Sequence, residues 1–436
     1  MAQHRRERPN HRAMTIDAAK EYAMSTEATQ RSRPALDGLR VIDFTHFIAG
    51  PYCTMILGDL GADVVKIENP TSGGDNMRAF QPKIAGESGP FIWANRNKRS
   101  VAIDLSTPAG RQVALDLLAD ADVLVENFST GIMERFGLSY ETVSTLNPRL
   151  IYCSISAYGR EGALKDRTGF DPIVQAESGF MAVNGFEDRE PIRTGPAIMD
   201  ISTGMMASNA VLAALAARTR DGKGQKVEIA LFDVATTMVG FHAMNVLLTN
   251  VEPRRIGNNS FDTAPMGVFY AADGPFYLAV ANDRLFERLA RDVLARPDLA
   301  TCDRFATNAD RNANRDELFK TLNDMFGKGN REHWLTEMRK AGVPAGAVRT
   351  LTNALSSPEM AARDRVTRVP HAAAGEVPNI CSPLQLRGSP VVSPTGSPTL
   401  GQHTETVLRE LGYTDAKMAV LTEQGAFGRS PGRTNT

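Results

Sequence analysis

Residues 36–70 read LDGLRVIDFTHFIAGPYCTMILGDLGADVVKIENP, and this stretch decides the fold. Val41-Ile42-Asp43-Phe44 is a short, nearly continuous apolar run, as expected of a strand buried on both faces. The loop His46–Pro51 (HFIAGP) follows, then a helix through YCTMILGDLG that stops at glycine, then a second strand over Asp63–Glu68. Strand, turn, helix and strand within about 30 residues form a βαβ unit. Its crossover is right-handed by default.

The alternation continues outward. Ser100–Leu105 (SVAIDL) predicts a strand, and Ser106-Thr107-Pro108 a helix start with Thr107 as N-cap and proline in the first turn. That helix runs to about Ala119. Strands follow at Val123–Phe128 and Leu150–Ser156, with two short helices between them. A helix over Ile201–Arg218, a strand over Lys226–Leu231 and a helix over Asp233–Leu248 close this body. The pattern predicts an α/β fold with a mostly parallel sheet covered on both faces.

The character changes near Arg254. GVFYAADGPFYLAV (Gly267–Val280) predicts a hairpin around Asp273-Gly274, with helices near 282–295, 314–326 and 331–341 after it. The expected organisation is a large domain over 36–250, a small α+β domain over 255–350 and a C-terminal segment, 351–424, returning to the large domain. Loose ends are expected at 1–35 and 425–436.

The chain has 436 residues, with 49 Lys+Arg against 50 Asp+Glu and a formal charge of −1. Such balance argues against a nucleic-acid binder. The longest apolar run, Ala210–Ala217, is far short of the roughly 20 residues a membrane span needs. Cys53, Cys153, Cys302 and Cys381 lie far apart without a CxxC pair, and read as free thiols of a reducing cytosol rather than metal ligands. The first 33 residues lack the apolar core of a secretory signal. A cytoplasmic protein without a bound metal is expected.

Several residues could carry chemistry. The HFIAGP loop can offer backbone N–H groups to a pyrophosphate, or be a tight βα turn; it is not the GxGxxG of a dinucleotide site. Arg96, Lys98 and Arg99 are either solvated surface or anchors for a ligand phosphate. Asp200 ends TGPAIMD before the long helix, as a capping residue or as a nucleophile toward an activated acyl group. Gly195 and Gly204 beside it would let a substrate approach the backbone. Asp171 and Asp188 are rivals for the nucleophile's role, or turn residues, the first before Pro172 and the second in the polar turn GFEDREP. His46 stands where open α/β sheets bind ligands, in a packing or an acid–base role. His403 is assigned no chemistry.

Together with NKRSVAIDLSTPAG, VLVENFSTGIMERFGL, IMDISTGMMASNAVLAALAAR and LGQHTETVLRELG, the opening stretch resembles the class III CoA-transferases, the formyl-CoA transferase and CaiB–BaiF family, over about residues 36–413. The resemblance implies a Rossmann-like large domain made from both chain ends, a small domain between them, and an interlocked homodimer. It implies that Asp200 carries the acyl group as an anhydride and then CoA as a thioester. CoA contacts carry over to His46, Ala49, Asn127, Phe128 and Arg135. Ile48, Asn69, Ser106 and Thr168 depart from formyl-CoA transferase. Charge for CoA is therefore sought in Arg96, Lys98 and Arg99, with Arg99 assigned to the CoA site.

The function expected from the resemblance is transfer of CoA from an acyl-CoA to a carboxylic acid, with small dicarboxylates as the acceptor guess. Arg193, Arg254 or Arg255 could meet a distal carboxylate. CoA and acyl-CoA are then substrates, and no tightly bound cofactor, nucleic acid or membrane is involved. An α-methylacyl-CoA racemase of the same fold is disfavoured, because Gly169-Phe170-Asp171 has phenylalanine where the racemase has a proton-transferring histidine. A non-catalytic acyl-CoA-binding protein is the other alternative, against which Asp200 argues.

Overall fold

The structure, a computed structural model, describes residues 32–428. The expectations for 1–31 and 429–436 lie outside the described residues. Six strands form one wholly parallel sheet: β1 (Arg40–Asp43), β2 (Asp63–Glu68), β3 (Lys98–Ala102), β4 (Val123–Glu126), β5 (Ile151–Ser156) and β6 (Lys226–Ala230). Their spatial order is 3-2-1-4-5-6. The chain starts in the middle and winds outward both ways, which opens a crevice beyond the carboxyl ends of β1 and β4.

Alternation along the strands builds two cores. Ile42, Val65, Val101 and Leu124 face one side, against Val113 and Leu117 of helix α2 (Pro108–Ala119). Val41, Val64, Val125 and Ile151 face the other, against Cys53 and Leu57 of α1 (Ala49–Asp59). Thr107 caps α2, accepting from the Gly110 N–H at 3.0 Å. The helix α1 starts at Ala49 rather than Tyr52, so the AGP of the loop forms its first turn. Proline loses little there, because N–H groups at a helix start have no intrahelical partner.

Beyond β5 come α3 (Asp171–Glu177) and α4 (Ile198–Asp221). The helix α4 is long and apolar enough to cross a membrane by composition, but its Ala207, Val211 and Ala214 are buried in the second core. The single helix expected over 233–248 is two, α5 (Leu231–Met238) and α6 (Gly240–Thr249), bent by 71°.

The small α+β part holds the expected hairpin, β7 (Met266–Ala271) and β8 (Gly274–Ala279), joined by a third strand, β9 (Ala345–Ala347). Phe269, Phe276, Leu318 and Phe326 fill its core. A hairpin over Val366–His371 and Gly375–Ile380 was not foreseen. The chain then returns to the first core through Val407, Leu408 and Leu421. One expectation needs correcting. Residues 425–428 are not loose: Ala426 is fully buried and its carbonyl accepts from the Asp104 N–H at 2.7 Å.

Candidate active site

The loop after β1 rests on buried charges. Asp43, at the end of β1, accepts from the Thr45 N–H at 2.8 Å and the Thr54 hydroxyl at 2.7 Å, and pairs with Lys98 at 3.1 Å. Lys66 of β2 pairs with Asp75 at 3.0 Å and donates to the Thr45 carbonyl at 2.6 Å. Asp75 accepts in turn from the Phe47 N–H at 3.1 Å. Burial opposes charge on all four side chains. Even so, Lys98 and Lys66 hold the Asp43 carboxyl below its ordinary range, while burial pulls Lys98 down to about 8. Removing one partner of such a pair costs about 3–5 kcal/mol. The charges hold Phe47 in the left-handed region, φ 63°, sparsely populated by residues other than glycine.

The crevice itself is closed by a reciprocal amide clamp. The His46 N–H donates to Asn127 Oδ1 and Asn127 Nδ2 donates to the His46 carbonyl, both at 2.8 Å. Asn127 and Phe128 directly follow β4, so this clamp ties the two loops at the switch point. Phe128 packs on the His46 ring, centroids 5.3 Å apart. Behind it, Arg160 pairs with the buried Glu126 at 2.8 Å and donates to the Phe128 carbonyl at 2.9 Å. Burial, and secondarily Lys66, lower the proton affinity of His46 below the ordinary histidine value.

Asp200 sits inside the first turn of α4 rather than at its cap. The cap is supplied from α3: Asp171 Oδ2 accepts from the Met199 N–H at 2.7 Å and the Asp200 N–H at 3.3 Å. Burial, and then the Asp171 carboxylate, push Asp200 up to about 7. One turn further, Gly204 meets α1, where a β-carbon would lie 2.6 Å from the Ala49 carbonyl oxygen. Gly204 therefore serves close helix packing, which seats Asp200 beside the Ala49 turn, and not substrate access. Nothing lies within 4 Å of a β-carbon built on Gly195, which faces the cavity.

A cavity of about 510 Å³ joins these groups. Asp200, Ala49, Asn127 and Phe128 line it together, and His46 stands directly behind Phe128. Arg135 is exposed at the end of a helical turn, Ile132–Arg135, outside this lining. Arg99 is misassigned to the CoA site. Its guanidinium pairs with Asp63 at 2.5 Å and Glu410 at 2.7 Å, and Asp63 begins β2, at the end of the sheet opposite the crevice. Arg96 is likewise spent on Asp59 at 2.6 Å, and Lys98 is the buried partner of Asp43. A larger cavity, about 820 Å³, is lined by Phe186, Arg254, Arg255 and Phe261. It contains none of the groups nominated for acyl or CoA chemistry. Among the described residues no cluster of His, Cys, Asp or Glu could hold a metal ion.

Sequence reasoning missed Arg160, the capping role of Asp171, and the Asp43, Lys66 and Asp75 charges that pair under the loop. A signal was present for the last: Asp43 and Lys66 interrupt apolar strands, where a charge must find a partner. Asp171 stands before Pro172 at a helix start, and no local pattern says that it caps a different helix.

The fold is a doubly wound α/β sheet with a cavity at its switch point, lined in part by a desolvated carboxylate. The chain belongs to CoA-transferase family III, whose profile matches residues 36–404. It is 37% identical over 386 residues to the succinate–glutarate CoA-transferase of Agrobacterium fabrum, covering 87% of this chain and 96% of that one. It is 38% identical over 396 residues to the acetyl-CoA:oxalate CoA-transferase of Acetobacter aceti, covering 90% and 100%. The crystal structure of a CaiB/BaiF family protein from Brucella suis matches with a TM-score of 0.79 at 36% identity, over 87% of this chain and 100% of that one.

Proposed function

We propose that this CoA-transferase moves CoA from an acyl-CoA to a small dicarboxylic acid, with Asp200 as the covalent carrier. One observation carries the reading: a carboxylate pushed up to about 7 by burial and Asp171 lines the same cavity as the Ala49 turn and the Asn127–Phe128 shelf. Desolvation that raises a carboxylate's proton affinity also makes its ionised form a stronger nucleophile.

In the first step an Asp200 oxygen attacks the thioester carbonyl, forming a mixed anhydride and releasing CoA thiolate. The thiolate attacks the aspartyl carbonyl, which yields an aspartyl-CoA thioester and frees the donor acid. The acceptor carboxylate attacks that thioester, giving a second anhydride and thiolate. Thiolate then attacks the acceptor's acyl carbon, and the new acyl-CoA leaves with Asp200 restored. One thioester replaces another, so the exchange is nearly isoenergetic and needs no nucleotide hydrolysis.

The relatives' names support dicarboxylates as substrates: succinate and glutarate for one, oxalate for the other. In this reading Ala49, Asn127 and Phe128, which line the Asp200 cavity, hold CoA together with His46, and the exposed Arg135 is the candidate for its phosphate end. The racemase alternative lacks its base, since Phe170 packs edge-on against Phe47 at 5.7 Å and moves no proton. The helix α6 buries none of its residues, and Phe241, Leu247 and Leu248 are 68–77% exposed. So large an apolar face supports a second copy of the chain covering it.

Asp200→Ala should abolish exchange between succinyl-CoA and glutarate while leaving a folded protein. Wild type incubated with succinyl-CoA should show a mass adduct on the peptide containing Asp200. Substantial exchange by the variant refutes the assignment.

A further inference from the structure

The residues used so far handle CoA and the reacting carbonyl. None meets the second carboxylate of a dicarboxylic acid. Four cationic side chains line the Asp200 cavity: Arg160, Lys165, Arg167 and Arg193. Two are already engaged. Arg160 holds Glu126 and the Phe128 carbonyl, and Arg167 pairs with Glu177 at 2.5 Å. The side chains of Lys165 and Arg193 make no hydrogen bond or ion pair with any described residue.

The two are held by different neighbours. The Lys165 carbonyl accepts from the Thr130 hydroxyl at 2.5 Å, beside the Asn127–Phe128 shelf where CoA is placed. Arg193 precedes the segment that leads into the first turn of α4. Its neighbour Thr194 donates its N–H to Gln175 Oε1 at 2.9 Å, and Gln175 donates to Asp171 Oδ1 at 2.5 Å. Asp171 is also the carboxylate that fixes the Asp200 backbone. One side chain thus sets the positions of both the nucleophile and the loop bearing the uncommitted guanidinium. Arg254 and Arg255, the other sequence candidates, line the separate cavity, and Arg255 is spent on the carbonyls of Phe186 and Arg189.

Resting on the proposed function, we propose that Arg193 receives the distal carboxylate of a dicarboxylic substrate while the proximal carboxyl meets Asp200, and so sets the preference for diacids. A guanidinium fork matches a carboxylate with two parallel hydrogen bonds. A monocarboxylic acid of similar length leaves that fork solvated and gains nothing from it.

The test uses acetyl-CoA as donor, so that only the acceptor carries a distal charge, and compares succinate with butyrate. In Arg193→Gln, kcat/KM for succinate should fall about 10- to 100-fold, the range for a lost charge-assisted hydrogen bond. For butyrate it should fall less than threefold, and the Kd of CoA should stay within twofold. Arg193→Lys should recover part of the succinate rate. Equal losses on both acceptors, or weakened CoA binding, overturn the proposal in favour of a CoA-phosphate contact and leave the Asp200 reading intact. A wild type that does not prefer succinate to butyrate overturns it too. A wild type without exchange or Asp200 adduct overturns the underlying reaction, and this proposal with it.

Discussion

Replacing Gly204 with alanine tests how the site is assembled, because the added methyl reaches only atoms that seat Asp200. The new β-carbon would lie 2.6 Å from the Ala49 carbonyl oxygen, 3.1 Å from Tyr52 Cβ and 3.2 Å from the Cys53 nitrogen. A carbon approaches a carbonyl oxygen no closer than about 3.3 Å, so α4 must retreat from α1 by about 0.7 Å or more. Overpacking of this kind costs about 1–3 kcal/mol. Alanine returns up to about 1 kcal/mol in helix propensity, so the net loss of stability should lie between about 0 and 3 kcal/mol. Activity should suffer far more. A displacement near 1 Å can cost about 100-fold in rate, and Asp200 lies one turn away on the same helix. Initial rates of CoA exchange, beside urea unfolding followed by circular dichroism, separate the two effects. A folded Gly204→Ala enzyme with kcat within twofold of wild type would show that the close helix approach does not place the carboxylate.

Other consequences are simpler to state. Exchange should accelerate as pH rises through about 7, as Asp200 ionises, and a rate flat between pH 5.5 and 8.5 contradicts this. The raised carboxyl stabilises the fold fully below the unfolded value near 4 and loses that contribution as pH rises through 7. The stability advantage of Asp200→Asn over wild type should therefore grow between pH 4 and 7, then level off. At about 1.4 kcal/mol per unit its ceiling is about 4 kcal/mol; urea midpoints whose difference is the same at pH 5 and 8 would contradict the assignment. Arg99→Ala should leave the KM for acyl-CoA within twofold of wild type, because its partners Asp63 and Glu410 lie away from the crevice. Its cost in stability should be about 1 kcal/mol or less, as for partly exposed ion pairs, and a tenfold rise in KM would restore Arg99 to the CoA site.

Local pattern was a good guide to the frame and a poor one to the charges. Apolar runs such as Val41–Phe44 and the Thr107-Pro108 helix start were legible because burial and capping act over a few neighbouring residues. Arg96, Lys98 and Arg99 looked alike in NRNKRS, yet each has a different carboxylate partner, brought by a different strand or helix. Asp171 and Asp200 were both visible as acids, but they stand 29 positions apart in the chain, and no local pattern joins the cap to the turn it caps.

The sequence alone determined the winding of the large body, because strand and helix periodicities are written in adjacent residues and the right-handed crossover leaves few ways to connect them. It also marked Asp200 as the acid to watch. Only the tertiary structure decided which cations face the cavity, what caps the helix of Asp200, and that Gly204 serves helix contact. Those outcomes depend on through-space distances and desolvation among segments far apart in the chain, and neither quantity exists until the chain has folded.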